Sequence, residues 1–231
     1  MTLADRSSMA AMSRVIGLVL LLTAVGPVGP APLAVSSVAL AQPASPPPQQ
    51  LPPHLRGAFA PVAEDGVIQQ FVMNVPGHVD GFILTTGMQV AMPPHMGEAA
   101  ASLWKPGDRV RIDGFRGVRN GLAQVVLAWG IHSTEDERSL VDEPSRRPPP
   151  PPRPGPEETV TGRVRQVLFT IEGQPVGAIL DQGPQLAWRP DQIWEERPLI
   201  PGATVTARGR LKSGRAGAVL AVDALTVEGG S

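Results

Sequence analysis

Apolar and polar positions along this chain follow the short period of strands, and the same succession of strands comes twice. Residues 66–73 and 81–84 are rich in β-branched and apolar side chains and are bounded by Asn74, Pro76 and Gly77, which predicts a strand pair. Thr86-Gly87 then turns into a third strand over 88–92. Between 97 and 104, Ala99, Ala100, Ala101 and Leu103 make the one segment of good helix propensity, and Lys105-Pro106-Gly107-Asp108 stops it. From 109 to 113 the alternation is clean, with Val110 and Ile112 on one side and Arg109, Arg111 and Asp113 on the other. A glycine-bearing hairpin leads into a last strand over 122–129. The order is three strands, a short helix and two strands.

That order returns 96 positions later, where Gly66, Gly81, Gly87 and Pro94 reappear as Gly162, Gly177, Gly183 and Pro190. Ile68, Phe71, Ile83, Leu84 and Val90 return as Val164, Val167, Ile179, Leu180 and Leu186. One deletion shifts the offset to 95, on which Gly107, Val110, Gly114, Val125 and Leu127 align with Gly202, Val205, Gly209, Leu220 and Val222. Glycines and apolar positions kept together preserve turns and a core, so the chain carries a duplicated small β domain. The second copy departs at the helix. There, 191–198 is charged and holds Trp194, and a shortened or distorted helix is expected.

Three strands, a helix and two strands is the order of the OB-fold, a five-stranded Greek-key barrel. The chain resembles bacterial exported OB-fold proteins of the nucleic-acid-binding type. In the first copy the likeness runs through Asp80-Gly81-Phe82-Ile83-Leu84, Gly87-Met88-Gln89-Val90, Pro93-Pro94-His95 and the run from Lys105 to Gly114. In the second it runs through Gly177 to Asp181, Gly183-Pro184-Gln185-Leu186, Arg189-Pro190 and Ile200 to Val205. The resemblance implies an all-β fold with short helices, two tandem OB barrels joined by a proline-rich linker. The expected organisation is a signal peptide over 1–41, a proline-rich disordered arm over 42–60, barrels over 61–133 and 158–229, and a linker over 134–157.

The ends and joints set the compartment and the reach. Arg6 and Arg14 precede an apolar run from Val15 to Val25, and Ala39-Leu40-Ala41 offers small residues for cleavage before Gln42. That run falls short of the ~20 residues a spanning helix needs, so a periplasmic or secreted protein without a membrane span after cleavage is expected. Met9 or Met12 would give a leader of more ordinary length. Polyproline II at ~3.1 Å per residue makes Pro148 to Pro154 a spacer of roughly 20 Å, so the barrels are expected to stand apart as independently folding beads. With no cysteine, disulfides and thiolate metal sites are excluded. Charge is balanced, 20 Lys plus Arg against 21 Asp plus Glu, which removes any global pull toward polyanions.

Local charge is another matter, because the loop between the fourth and fifth strands is basic in both copies. The first holds Phe115, Arg116 and Arg119; the second holds Arg210, Lys212 and Arg215. Such loops can grip phosphates while Phe115 stacks a base, and Trp188, after the third strand of the second copy, is the best further aromatic for a ligand contact. The OB resemblance implies ligand binding on strands two and three together with these loops. A single-stranded nucleic acid or other polyanion is therefore one expected partner, and an envelope protein or glycan is the alternative. His78 with Asp80 forms an H-x-D and His95 follows Pro94, but without recognisable metal-ligand spacing the two histidines read as exposed loop residues. No catalytic motif, cofactor site or metal site is expected, and oligomeric state is left open.

Overall fold

The computed structural model describes residues 59–117, 125–143, 147, 150, 152–192 and 198–228. The leader, nearly all of the N-terminal arm, Arg119 and Trp194 lie outside them. Chain order runs β1 (Phe59–Met73), β2 (Val79–Leu84), β3 (Gln89–Ala91), α1 (Pro94–Leu103), β4 (Arg109–Gly117), β5 (Val125–Ser133) and β6 (Ser139–Val141). A second set follows as β7 (Glu157–Phe169), β8 (Pro175–Leu180), β9 (Gln185–Ala187), β10 (Thr204–Gly214) and β11 (Gly217–Glu228).

In the first set β1 pairs antiparallel with β2 and β4, β2 with β3 and β4 with β5, and a parallel β3–β5 pairing closes the barrel. The second set closes in the same order, β9 to β11 being the parallel pair. Both are OB barrels. Each first strand serves two neighbours: residues 59–67 lie against β4 and Ile68 to Met73 against β2. A register shift at Gln69 makes the bend, and its counterpart stands at Arg165, 96 positions on. Strands also approach closely at duplicated glycines. A Cβ on Gly81 would sit 2.3 Å from Val90 O, and one on Gly177 2.6 Å from Leu186 O.

Phe71 and Phe82 meet edge to face at 6.2 Å in the first core, with Val90, Ile112, Val126 and Ile131 fully buried around them. Val164, Leu180, Leu186, Val205 and Leu220 fill the second. Beyond the hairpin the repeat offset is 94 and not 95: Val90 pairs with Val126 where Leu186 pairs with Leu220. The connection is one residue shorter in the second copy, and a one-residue slip exchanges the two faces of a strand. Val126 and Ala128, in place of Val125 and Leu127, therefore match Leu220 and Val222.

Helix α1 begins at Pro94, earlier than alanine content suggested, because proline suits the first helical position. It seals the barrel with Met96, Ala100 and the following Trp104, and Gly97 lets it lie on Val79, whose carbonyl oxygen would be 1.6 Å from a Cβ there. In the second copy a turn at Pro190-Asp191 occupies the corresponding place, and no helix occurs there among the described residues.

The expected linker is partly structured. β6 adds to β5, and Asp142 N–H donates to Trp129 O at 2.7 Å. At its far end, Gly155 N–H donates to Leu211 O at 2.8 Å and Pro152 lies beside Gly77 of the first barrel. The barrels are not separate beads; they touch directly.

Candidate functional site

The outer sides of β1 and β2 in the first barrel, and of β7 and β8 in the second, each carry two aliphatic residues outside that barrel's core cluster. Val72 and Ile83 of the first barrel meet Leu168 and Ile179 of the second in a buried cluster distinct from either barrel interior. These are the same two positions in both copies, so the contact has a pseudo-two-fold axis.

Glutamines complete it. Gln89 Nε2 donates to Phe169 O at 2.8 Å, and Phe169 N–H donates to Gln89 Oε1 at 3.0 Å. Reciprocally, Gln185 Nε2 donates to Met73 O at 2.6 Å and Met73 N–H donates to Gln185 Oε1 at 3.0 Å. A primary amide offers the donor and acceptor of a strand neighbour, so each glutamine satisfies both backbone groups at the end of the other barrel's first strand. Both side chains are buried, and without these bonds four backbone groups and two amides would be left unpaired. Gln166 Nε2 donates to Gly87 O at 3.0 Å, and Arg165 reaches Gln70 Oε1.

The basic residues are spread around this arrangement and do not form one patch. Lys212 Nζ crosses to donate to Val75 O at 2.7 Å, with partial burial lowering its pKa. Arg215 Nη1 donates to Ser102 Oγ at 3.1 Å, again on the first barrel. Arg116 pairs with Glu64 at 2.5 Å across β1 and β4. Phe115 packs on Trp129, ring centroids 4.4 Å apart. Trp188 is 2% exposed and donates through Nε1 to Pro175 O at 2.9 Å. Arg210 is exposed on β10.

Where the two faces diverge, a chamber of about 380 Å³ opens on the pseudo-axis. Its lining includes matched positions from the two copies: Met73 with Phe169, Gln89 with Gln185, Met92 with Trp188, Asn74 with Thr170, and Asp80 with Val176. Asp80 is the acidic group there. Burial pushes its carboxyl up to about 7, opposed by hydrogen bonds from its own backbone N–H and from Asn74. Asn74 is held in turn by His78 N–H, 3.0 Å from its Oδ1.

His78 and His95 are not exposed loop residues. His78 is buried at the end of this turn, and His95 Nε2 lies 2.6 Å from Asp142 Oδ1, tying α1 to the segment after β6. A further polar chain was not expected: Asp113, 3% exposed, lies 3.3 Å from His132 Nε2, whose Nδ1 meets Ser139 Oγ at 2.9 Å. Ser139 stands exposed on β6, away from the contact between the barrels.

Sequence reasoning passed over Gln89 and Gln185 although the signal was present. The same polar residue stands at the same place in both copies, beside apolar strand positions, where a side chain without a partner costs free energy.

No family model and no curated protein matches this chain. Among solved structures it is similar to a deletion mutant of the single-stranded DNA binding protein from Thermus aquaticus, 15% identical at TM-score 0.23, covering 76% of this chain and 97% of that one. The wild-type form of the same protein is also 15% identical, at TM-score 0.24, covering 74% and 93%. Likeness at this level carries no argument about function, and the OB assignment stands on strand order and barrel closure.

Proposed function

We propose that the protein is a non-enzymatic interaction module of the bacterial envelope, exported by its leader, in which two OB barrels act as one body toward a protein or glycan. One observation carries this reading: part of the face where OB barrels take polymers, at Ile83 and Gln89 of the first copy and Ile179 and Gln185 of the second, is buried against the sister barrel. Three of the basic hairpin residues are engaged in other contacts: Arg116 with Glu64, Lys212 with Val75 and Arg215 with Ser102. The second reading, a single-stranded nucleic acid or other polyanion, is favoured by the exposed Arg210 on the hairpin flank.

Fluorescence anisotropy of a labelled single strand separates the two. The interaction-module reading expects no binding that steepens as salt is lowered from roughly 200 to 50 mM, the behaviour that released counterions impose. Binding with that salt dependence, weakened when Arg116, Arg119, Arg210, Lys212 and Arg215 are replaced by Ala, would establish the polyanion reading instead.

A further inference from the structure

We propose that the chamber between the barrels is a binding site for a small aromatic or apolar amine, its ring against Phe169 and Val176 and its ammonium on the Asp80 carboxylate. The chamber's size and composition support this. About 380 Å³ admits a ring with a short side chain and falls within the range of small-ligand sites. Its walls differ in a way that sets an orientation. The second barrel supplies Phe169 and Val176 with Arg189 at the edge, and the first supplies Asp80 and Asn74 beside Met73 and Val75.

The asymmetry is the informative point. Most of the lining obeys the pseudo-two-fold axis, and a carboxylate stands at one of the two related positions where the other holds valine. Asn74 and the Asp80 backbone N–H donate to this carboxylate, but burial outweighs them, so a cation meeting it would stabilise its charged form. The other charged or titratable side chains at this end are His78, Lys212 and Arg189. His78 contributes its backbone N–H to Asn74, Lys212 is held by Val75 O, and Arg189 sits 3.4 Å from Asp191. Among the described residues these contacts place no cation on Asp80, and an incoming ammonium supplies one. The proposal does not depend on the interaction-module reading, since its readout involves neither nucleic acid nor an envelope partner.

The test is calorimetric titration of the full mature chain with 2-phenylethylamine and with its neutral counterpart 2-phenylethanol. At pH 8 the amine should bind about tenfold more tightly than the alcohol, as expected of a charge-assisted contact. Asp80→Asn should abolish that preference, and Ala91→Phe, which fills the chamber from β3, should remove binding of both. Amine affinity should rise between pH 6 and 8 as Asp80 ionises, and the rise should vanish in Asp80→Asn. Equal affinity for amine and alcohol, retention of the preference in Asp80→Asn, or no binding of the amine at millimolar concentration would overturn the proposal. So would binding that appears only after residues 42–56 are deleted, since the occupant would then be the chain's own arm.

Discussion

The two barrels agree where they meet and differ where they are sealed. Val72, Ile83 and Gln89 correspond to Leu168, Ile179 and Gln185, and each set performs the same task on the opposite barrel. At the sealed end the first barrel uses α1, whose Met96 and Ala100 face the core, while the second buries Trp188 and packs Leu199 beside its core. A barrel end needs only to be filled, and many residue sets fill it. A two-fold contact constrains both partners at once, so a change at one position must suit the other barrel as well as its own.

The comparison can be broken most severely at the shared cluster. Ile179→Asp would place a carboxylate against Val72, Ile83 and Leu168, and a loss of about 3 kcal/mol or more is expected, with the thermal transition splitting in two. If the barrels were independent, the same outward-facing substitution would shift stability by no more than ~0.5 kcal/mol. Calorimetry decides between these. Next in size are the glutamines. Gln89→Ala and Gln185→Ala should each cost about 1–3 kcal/mol and by similar amounts, because each leaves one N–H and one C=O unpaired. Hydrogen exchange should quicken at Phe169 in the first variant and at Met73 in the second; a change at only one site would mean that the two-fold relation is not energetic.

Asp80 marks the departure from symmetry and gives a pH signature. Its carboxyl rises from an ordinary 3.8 to about 7 in the fold, so its contribution is fully present below about pH 4 and is lost as pH rises through 7. Asp80→Asn should therefore match the parent at pH 4 and exceed it by roughly 1–2 kcal/mol at pH 8, the group's partial exposure to the chamber reducing the full effect. Urea titrations at the two pH values measure this, and equal increments at both would remove Asp80 as the cause. Smallest is Asp142→Asn, which weakens the contact to His95 of the first barrel alone; about 0.5–1 kcal/mol is expected, seen as faster exchange in β6.

Much of this fold is legible in the chain. The alternation at Val110 and Ile112, the glycine pairs and the proline ahead of α1 specify strands, turns and barrel order, since each acts through local geometry. The last strand was read one residue out because Val125, Val126 and Leu127 are all apolar and show no alternation to fix the faces. The contact between barrels was missed for a different reason. The proline content of the linker suggested separation, while the residues that join the barrels are ordinary strand aliphatics and two glutamines whose partners lie 80 and 112 positions away. Of the basic hairpin residues, charge alone was visible. Whether each arginine meets Glu64, Ser102 or solvent depends on register and docking that no local pattern encodes.

The pseudo-two-fold contact has the form of a homodimer interface held within a single polypeptide. In a dimer of identical subunits every substitution is made on both sides of the axis, and an Asp80 would face a second carboxylate across the chamber. Joining the copies in one chain lifts that obligation, so the acid can stand on one side only and an aromatic wall on the other. The tether also makes association independent of protein concentration, because the second barrel is always supplied at the high local concentration that a linker imposes. This protein therefore keeps its asymmetric chamber at any dilution.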